Sequence, residues 1–232
     1  YHDFGGGPGE AGHDAHALAQ GVPEQPGALS VTELTGPQSG PPDVEATLVA
    51  RQEPIALAIG ATVDGYTLNH TSPGPELRVK QGDLVQVTLV NESVSDGVTL
   101  HWHGVDLPNA EDGVAGVTQD AVTMGGTHVY RFVAEDLGTY WYHSHQVSHE
   151  QVRGGLFGVL VVDSTDDSPD EVDVVAPVHT YEGRRTVGGA AGQRRVSAEP
   201  GDPVRVRVIN TNGAPLGVSV AGSPYQVLAV DG

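Results

Sequence analysis

The stretch Gly82-Asp83-Leu84-Val85-Gln86-Val87-Thr88-Leu89-Val90-Asn91 decides the fold. Gly-Asp opens a turn. Apolar and polar residues then alternate with period two, which on a strand puts Val85, Val87 and Leu89 on one face and Gln86 and Thr88 on the other. The same design returns as Gly201-Asp202-Pro203-Val204-Arg205-Val206-Arg207-Val208-Ile209-Asn210, at a constant offset of 119 residues and with the same closing Asn. Such a repeat is the mark of one β-unit present twice in tandem. In the second copy the alternation predicts Val204, Val206 and Val208 facing inward and Arg205 and Arg207 facing solvent.

Around the first copy run short β-branched segments broken by turn residues. They predict strands at Thr62 to Asn69, Leu77 to Lys80, Leu84 to Val90, Val98 to His103, Thr127 to Val133, Thr139 to His143 and Phe157 to Val162. Even spacing of short strands, with no convincing amphipathic helix, indicates an all-β fold, a Greek-key barrel or sandwich. Residues 1–45, rich in Gly, Pro and Ala, read as an extended arm. Residues 46–163 read as the first domain and the acidic 164–171, with Pro169, as a linker. Residues 172–232 read as the first part of a second domain. At the same offset of 119, Asp112-Gly113 falls opposite Asp231-Gly232. The second domain is therefore expected to be incomplete, because a half-built β-domain leaves strand edges unpaired.

Composition excludes several functions. Eleven basic residues against 30 acidic ones give a net charge of −19, which repels nucleic acid and anionic membranes. No apolar run approaches a membrane span, and Tyr1 begins no signal peptide. Cysteine is absent, which removes disulfides, zinc-thiolate sites and the thiolate on which a blue copper centre depends.

Two histidine pairs carry the chemistry: His101-Trp102-His103-Gly104 and Tyr142-His143-Ser144-His145. Positions i and i+2 of a strand share a face, so each pair offers two imidazoles together. Four gathered in this way suit copper, zinc, iron or nickel rather than magnesium or calcium. In the repeat, with a one-residue gap, His101-Trp102-His103-Gly104 falls opposite Ser219-Val220-Ala221-Gly222, so only the first copy donates ligands. His2, His13, His16, His70, His128 and His179 lack this context and read as surface or hydrogen-bonded residues. Trp102 and Trp141 read as core packing on the face opposite the imidazoles, Met124 as a packing residue and His149 as an ordinary polar residue.

These residues resemble the first cupredoxin domain of the multicopper oxidases, the family of laccases, bilirubin oxidases and bacterial cuproxidases. The resemblance is carried by Ser72-Pro73-Gly74-Pro75-Glu76-Leu77-Arg78-Val79-Lys80-Gln81-Gly82-Asp83, His101-Trp102-His103-Gly104, Glu111-Asp112-Gly113, and Gly138-Thr139-Tyr140-Trp141-Tyr142-His143-Ser144-His145 followed by Gly155-Leu156-Phe157-Gly158. It implies copper, with His101 on a type 2 ion and His103, His143 and His145 on a type 3 pair, in a trinuclear cluster that reduces dioxygen to water. It further implies Asp112 as a proton relay, against the plainer reading of a turn-forming Asp before Gly113.

Ser144 stands where the family's last-domain motif has cysteine, so no type 1 copper is expected in this chain, and the other four cluster histidines would come from remaining domains or another subunit. The family also implies a small reducing substrate (a phenol, an aromatic amine or a metal ion) and an extracytoplasmic location. A two-domain trimeric laccase and a non-catalytic copper-binding module are the competing readings. Copper nitrite reductase is disfavoured by Ser144.

Overall fold

The computed structural model describes residues 27, 29–58, 61–166, 172–191 and 194–230. Two four-stranded sheets are built from residues 44–163. In the first, β1 (Val44–Gln52), β4 (Tyr66–Leu68), β6 (Leu84–Asn91) and β8 (Thr127–Val133) lie in the order β4-β1-β6-β8. In the second, β5 (Leu77–Lys80), β7 (His101–His103), β9 (Gly138–His143) and β10 (Phe157–Asp163) lie in the order β5-β10-β9-β7. A small ribbon pairs β2 (Ile55–Ala58) with β3 (Ala61–Val63).

The alternation of the opening stretch sets the core. Val85, Val87 and Leu89 are at most 1% exposed and cluster with Leu48 of the same sheet and with Val79, Trp102, Tyr142 and Leu160 of the other. Each such side chain contributes on the order of 1.5–3 kcal/mol by leaving water. This apolar layer between two sheets is the sandwich that the sequence pattern required.

Residues 172–210 form a further sheet. There β11 (Val172–Tyr181), β12 (Arg184–Val187), β13 (Ala190–Ala191) and β14 (Val204–Asn210) lie in the order β13-β12-β11-β14. The repeat is visible as pairing: Val44 of β1 lies parallel beside Val85 of β6, and Val172 of β11 lies parallel beside Val204 of β14.

Its facing differs from expectation. Val204, Val206 and Val208 are 50%, 55% and 40% exposed, while Ile209 and the Arg207 side chain are buried. In the first unit the β5-β10-β9-β7 sheet covers the valine face of β6. Among the described residues no second sheet stands over β14, so the strand packs by its other face against the first unit. Ile209 joins Val159, Val161, Val175 and Trp141. Arg207 donates to both Asp173 oxygens at 2.9 Å, to Asp163 at 3.1 Å and to Thr139 at 2.9 Å, while Arg78 donates to the same two aspartates at 2.7 and 2.9 Å. Two guanidiniums and two carboxylates thus alternate across the junction. For Asp173, burial raises the pKa but the hydrogen bonds from Arg207 and Arg78 outweigh it and hold the carboxyl below its ordinary value.

Other elements also depart from expectation. The run Thr62 to Asn69 breaks at Asp64-Gly65, and its halves pair with different strands, β3 with β2 and β4 with β1. Of Val98 to His103 only His101–His103 is regular strand, Val98 being held to Val122 by an isolated bridge. A short helix, α1 (Ser148–Arg153), interrupts the β pattern. It begins after Val147, whose φ of 47° turns the chain sharply out of the β9 direction. Most of the acidic segment 164–171 lies outside the described residues.

Candidate metal centre

The two histidine motifs meet because β7 and β9 are antiparallel neighbours. His101 lies opposite His143, Trp102 opposite Tyr142 and His103 opposite Trp141. Directly opposed residues on antiparallel strands point to the same side of the sheet, so the register brings His101, His103 and His143 onto one face. One ring nitrogen from each of these three lies within 4.8 Å of the others. His145 continues that face beyond the end of β9. Its ring centroid is 5.3 Å from that of His101 and 6.3 Å from that of His143.

Hydrogen bonds fix the nitrogens. His143 donates Nδ1–H to the Ser144 carbonyl at 2.9 Å, which leaves the Nε2 lone pair facing the group. Burial, opposed by that hydrogen bond and reinforced by the other three imidazoles, pushes the His143 pKa down to about 3, so the ring is neutral across ordinary pH. His101 Nδ1 faces two acceptors of Asp112, the backbone carbonyl at 2.9 Å and the carboxylate at 3.0 Å. With its proton held there, Nε2 is the free donor. His103 turns Nδ1 instead, 3.4 Å from His143 Nε2. Two nitrogens bound to one metal at about 2.0–2.1 Å in tetrahedral geometry stand roughly 3.3 Å apart, so this pair is already spaced for a shared ion.

The loop after β9 is held from below. Ser144, fully buried, donates its backbone N–H to Leu156 and its hydroxyl to Gln151 at 2.5 Å. Gln151, on α1, donates to the Gly97 carbonyl at 2.8 Å, and the His145 N–H donates to Thr99 Oγ1 at 3.2 Å. Position 144, the cysteine position of the analogous motif, serves here as a buried fastener between the ligand loop and the helix.

Asp112 ends a single 3-10 turn, Asn109–Glu111, as the sequence reading of a turn residue also required. Gly113 follows with a φ of +68°, and a Cβ there would strike the Leu100 carbonyl. That close approach to the start of β7 lets Asp112 reach His101.

The tryptophans divide. Trp102 is fully buried among Tyr130, Phe132 and Tyr142 on the core side, as expected. Trp141 packs as expected, against Val159, Val161, Val175 and Ile209, but not on the expected face. It lies two residues before His143 and opposite His103, so it shares the imidazole face, stacked on His143 with centroids 4.2 Å apart and 5.0 Å from His103. The spacing of Trp141 and His143 already contained this.

Met124 is 62% exposed rather than packed. His149 is exposed on α1, 3.3 Å from Arg153. His70 faces Glu53, His128 lies beside Tyr130, and buried His179 bonds Thr211 and Arg153. His2, His13 and His16 lie outside the described residues.

Comparison with known proteins adds to this geometry. The sequence model of the multicopper oxidase family matches residues 50–167, about half the chain and the part that carries all four imidazoles. The chain belongs to the multicopper oxidase family. It is 33% identical to Laccase-1 of Botryotinia fuckeliana over 203 residues, 75% of this chain and 36% of that protein. It is 32% identical to the multicopper oxidase MmcO of Mycobacterium tuberculosis over 202 residues, 87% of this chain and 38% of that protein. Among solved structures, the blue copper oxidase of Nitrosomonas europaea is similar with a TM-score of 0.67 at 26% identity, covering 72% of this chain and 61% of that one. The chain thus spans little more than a third of the length of these two curated relatives.

Membership implies copper, and the residues fit it. The donors are all nitrogen, which suits copper across its oxidation states. The most buried of them is neutral and keeps its lone pair. No helix among the described residues is long and apolar enough to cross a membrane.

Proposed function

We propose that this chain is the ligand-donating part of a laccase-like enzyme that couples one-electron oxidation of a small reducing substrate, a phenol, an aromatic amine or a metal ion, to reduction of dioxygen to water. The observation that carries the proposal is the convergence of His101, His103 and His143 within 4.8 Å, with His145 alongside. His101 would hold a type 2 copper through Nε2, and His103, His143 and His145 a type 3 pair. Copper bound there supplies the one-electron steps that dioxygen reduction demands. The remaining ligands, and the type 1 centre that this cysteine-free chain cannot form, would come from further domains or another subunit.

The protein's own part is to position and to move protons. His101 and His143 are each fixed in the tautomer that puts the lone pair on Nε2, that of His143 facing His103 Nδ1 at 3.4 Å. Asp112 stands 3.0 Å from His101 and is 29% exposed, so its carboxylate joins the centre to solvent and can pass protons inward as oxygen is reduced. The domain division at about residues 46–163 and 172 onward, and an extracytoplasmic location, form part of the same proposal.

The test is metal content and oxygen uptake of the full-length protein. His101→Ala and His143→Ala should each lower bound copper and abolish oxygen uptake. Variants that keep both would show that the centre lies elsewhere.

A further inference from the structure

Glu111 is the one buried carboxylate among the described residues and takes no part in the proposed chemistry, yet it precedes Asp112 and is only 5% exposed. Its two oxygens accept backbone N–H groups from separate parts of the chain, Gly36 at 3.2 Å and Arg131 at 2.8 Å. The Gly36 segment is tied down further. Ala110 N–H donates to the Leu34 carbonyl at 3.0 Å. Arg131 donates from Nε to the Pro37 carbonyl and from Nη2 to the Gly40 carbonyl, both at 2.9 Å, and from Nη1 to Gln86. Residues 34–40, at the end of the arm, therefore form a strap that crosses β8 and grips the turn carrying Asp112.

We propose that Glu111 is a positioning residue for His101, and that the 34–40 strap acts through it. The linkage is short and each joint is visible. The strap and β8 hold the Glu111 carboxylate, and Glu111 is the last residue of the 3-10 turn. Asp112 caps that turn through its N–H to Asn109 at 3.1 Å, and both Asp112 acceptors hold His101 Nδ1. A buried carboxylate bonded to two backbone donors is costly to disturb, because losing either bond leaves a polar group unpaired. The inference rests on the reading of His101 as a metal ligand. Partners of ligating histidines typically change metal affinity 10–100-fold when altered, and Glu111 would act one joint further out.

Two variants address it without touching an imidazole or Asp112. Glu111→Gln leaves one backbone donor facing an amide nitrogen. Gly36→Val lifts the strap, because a Cβ at Gly36 would strike the Arg131 carbonyl. Each variant of the chain would be titrated with copper(II) against a competing chelator. The His101 Nδ1–H resonance of the metal-free chain would be followed by NMR, and thermal unfolding recorded. The expected result is a fall of about tenfold in copper(II) affinity in both variants, together with faster exchange of the His101 Nδ1–H. Lowered thermal stability with unchanged affinity and an unchanged resonance would make Glu111 a structural tie only and overturn the proposal. His101→Ala is the reference. If it leaves copper(II) affinity intact, the ligand reading itself fails. If it weakens binding while the two variants do not, only the strap proposal fails.

Discussion

Replacing Asp112 by Asn separates two jobs that one carboxylate could hold. Asn keeps an acceptor oxygen near His101 Nδ1, and the Asp112 backbone carbonyl, at 2.9 Å from the same nitrogen, is untouched by any side-chain change. His101 therefore keeps its tautomer. What is lost is the charge, and the difference between a charge-assisted and a neutral hydrogen bond is about 1 kcal/mol, the low end being apt for a group 29% exposed. Copper affinity should then fall by no more than about tenfold. Proton delivery is another matter, because an amide cannot pick up and release a proton at neutral pH. Loss of a proton-transfer group costs about 10²-fold or more in rate. The assay is oxygen uptake by the full-length, fully metallated Asp112→Asn protein across pH, with copper content measured in parallel. The deficit should widen as pH rises and protons from solvent become scarcer. Near-normal rates at every pH would refute the relay and leave Asp112 as an orienting and turn-forming residue.

Protonation of His143 should destabilise the fold. Its pKa is about 3 folded against 6.5 as the ordinary value, so its contribution is fully present above pH 6.5 and is lost as pH falls toward 3. The loss should amount to a few kcal/mol in metal-free protein, and a urea midpoint in His143→Gln should show a correspondingly shallower dependence over that window. Arg207→Met should cost about 2 kcal/mol, below the usual penalty for breaking a buried pair because Arg78 still bridges Asp163 and Asp173. Denaturant titration would detect it, and a change under 0.5 kcal/mol would contradict the clasp. The copper-loaded chain should show no intense blue absorption, since it holds no cysteine; a strong thiolate-to-copper band would contradict the assignment.

Much of this was legible because period-two alternation and i, i+2 spacing are local properties of a strand. Val85, Val87 and Leu89 fell inward as written, and the two histidine pairs met because β7 and β9 place His101 opposite His143. The copied pattern at Val204 to Val208 was misread for a physical reason. Alternation says which residues share a face but not which face is covered, and β14 is covered on the Arg207 side. The break at Asp64-Gly65 was marked by a glycine inside a strand pattern, which could have flagged it. Nothing local marked Glu111, since its partners Gly36 and Arg131 lie 75 and 20 residues away in sequence.

The parallel pairing of β5 with β10 joins Leu77 to Leu160, and this bears on how the protein acquires its shape during synthesis. Contacts between segments so distant in sequence are slow to form, because loop-closure entropy is lost before any contact rewards it. The β7–β9 pair closes a shorter loop, His101 to His143. The β9–β10 hairpin, His143 to Phe157, closes a shorter one still, so the imidazole face can assemble before β5 closes the far edge of the sheet, and a nascent chain would meet metal ions with its ligands gathered but its core still open.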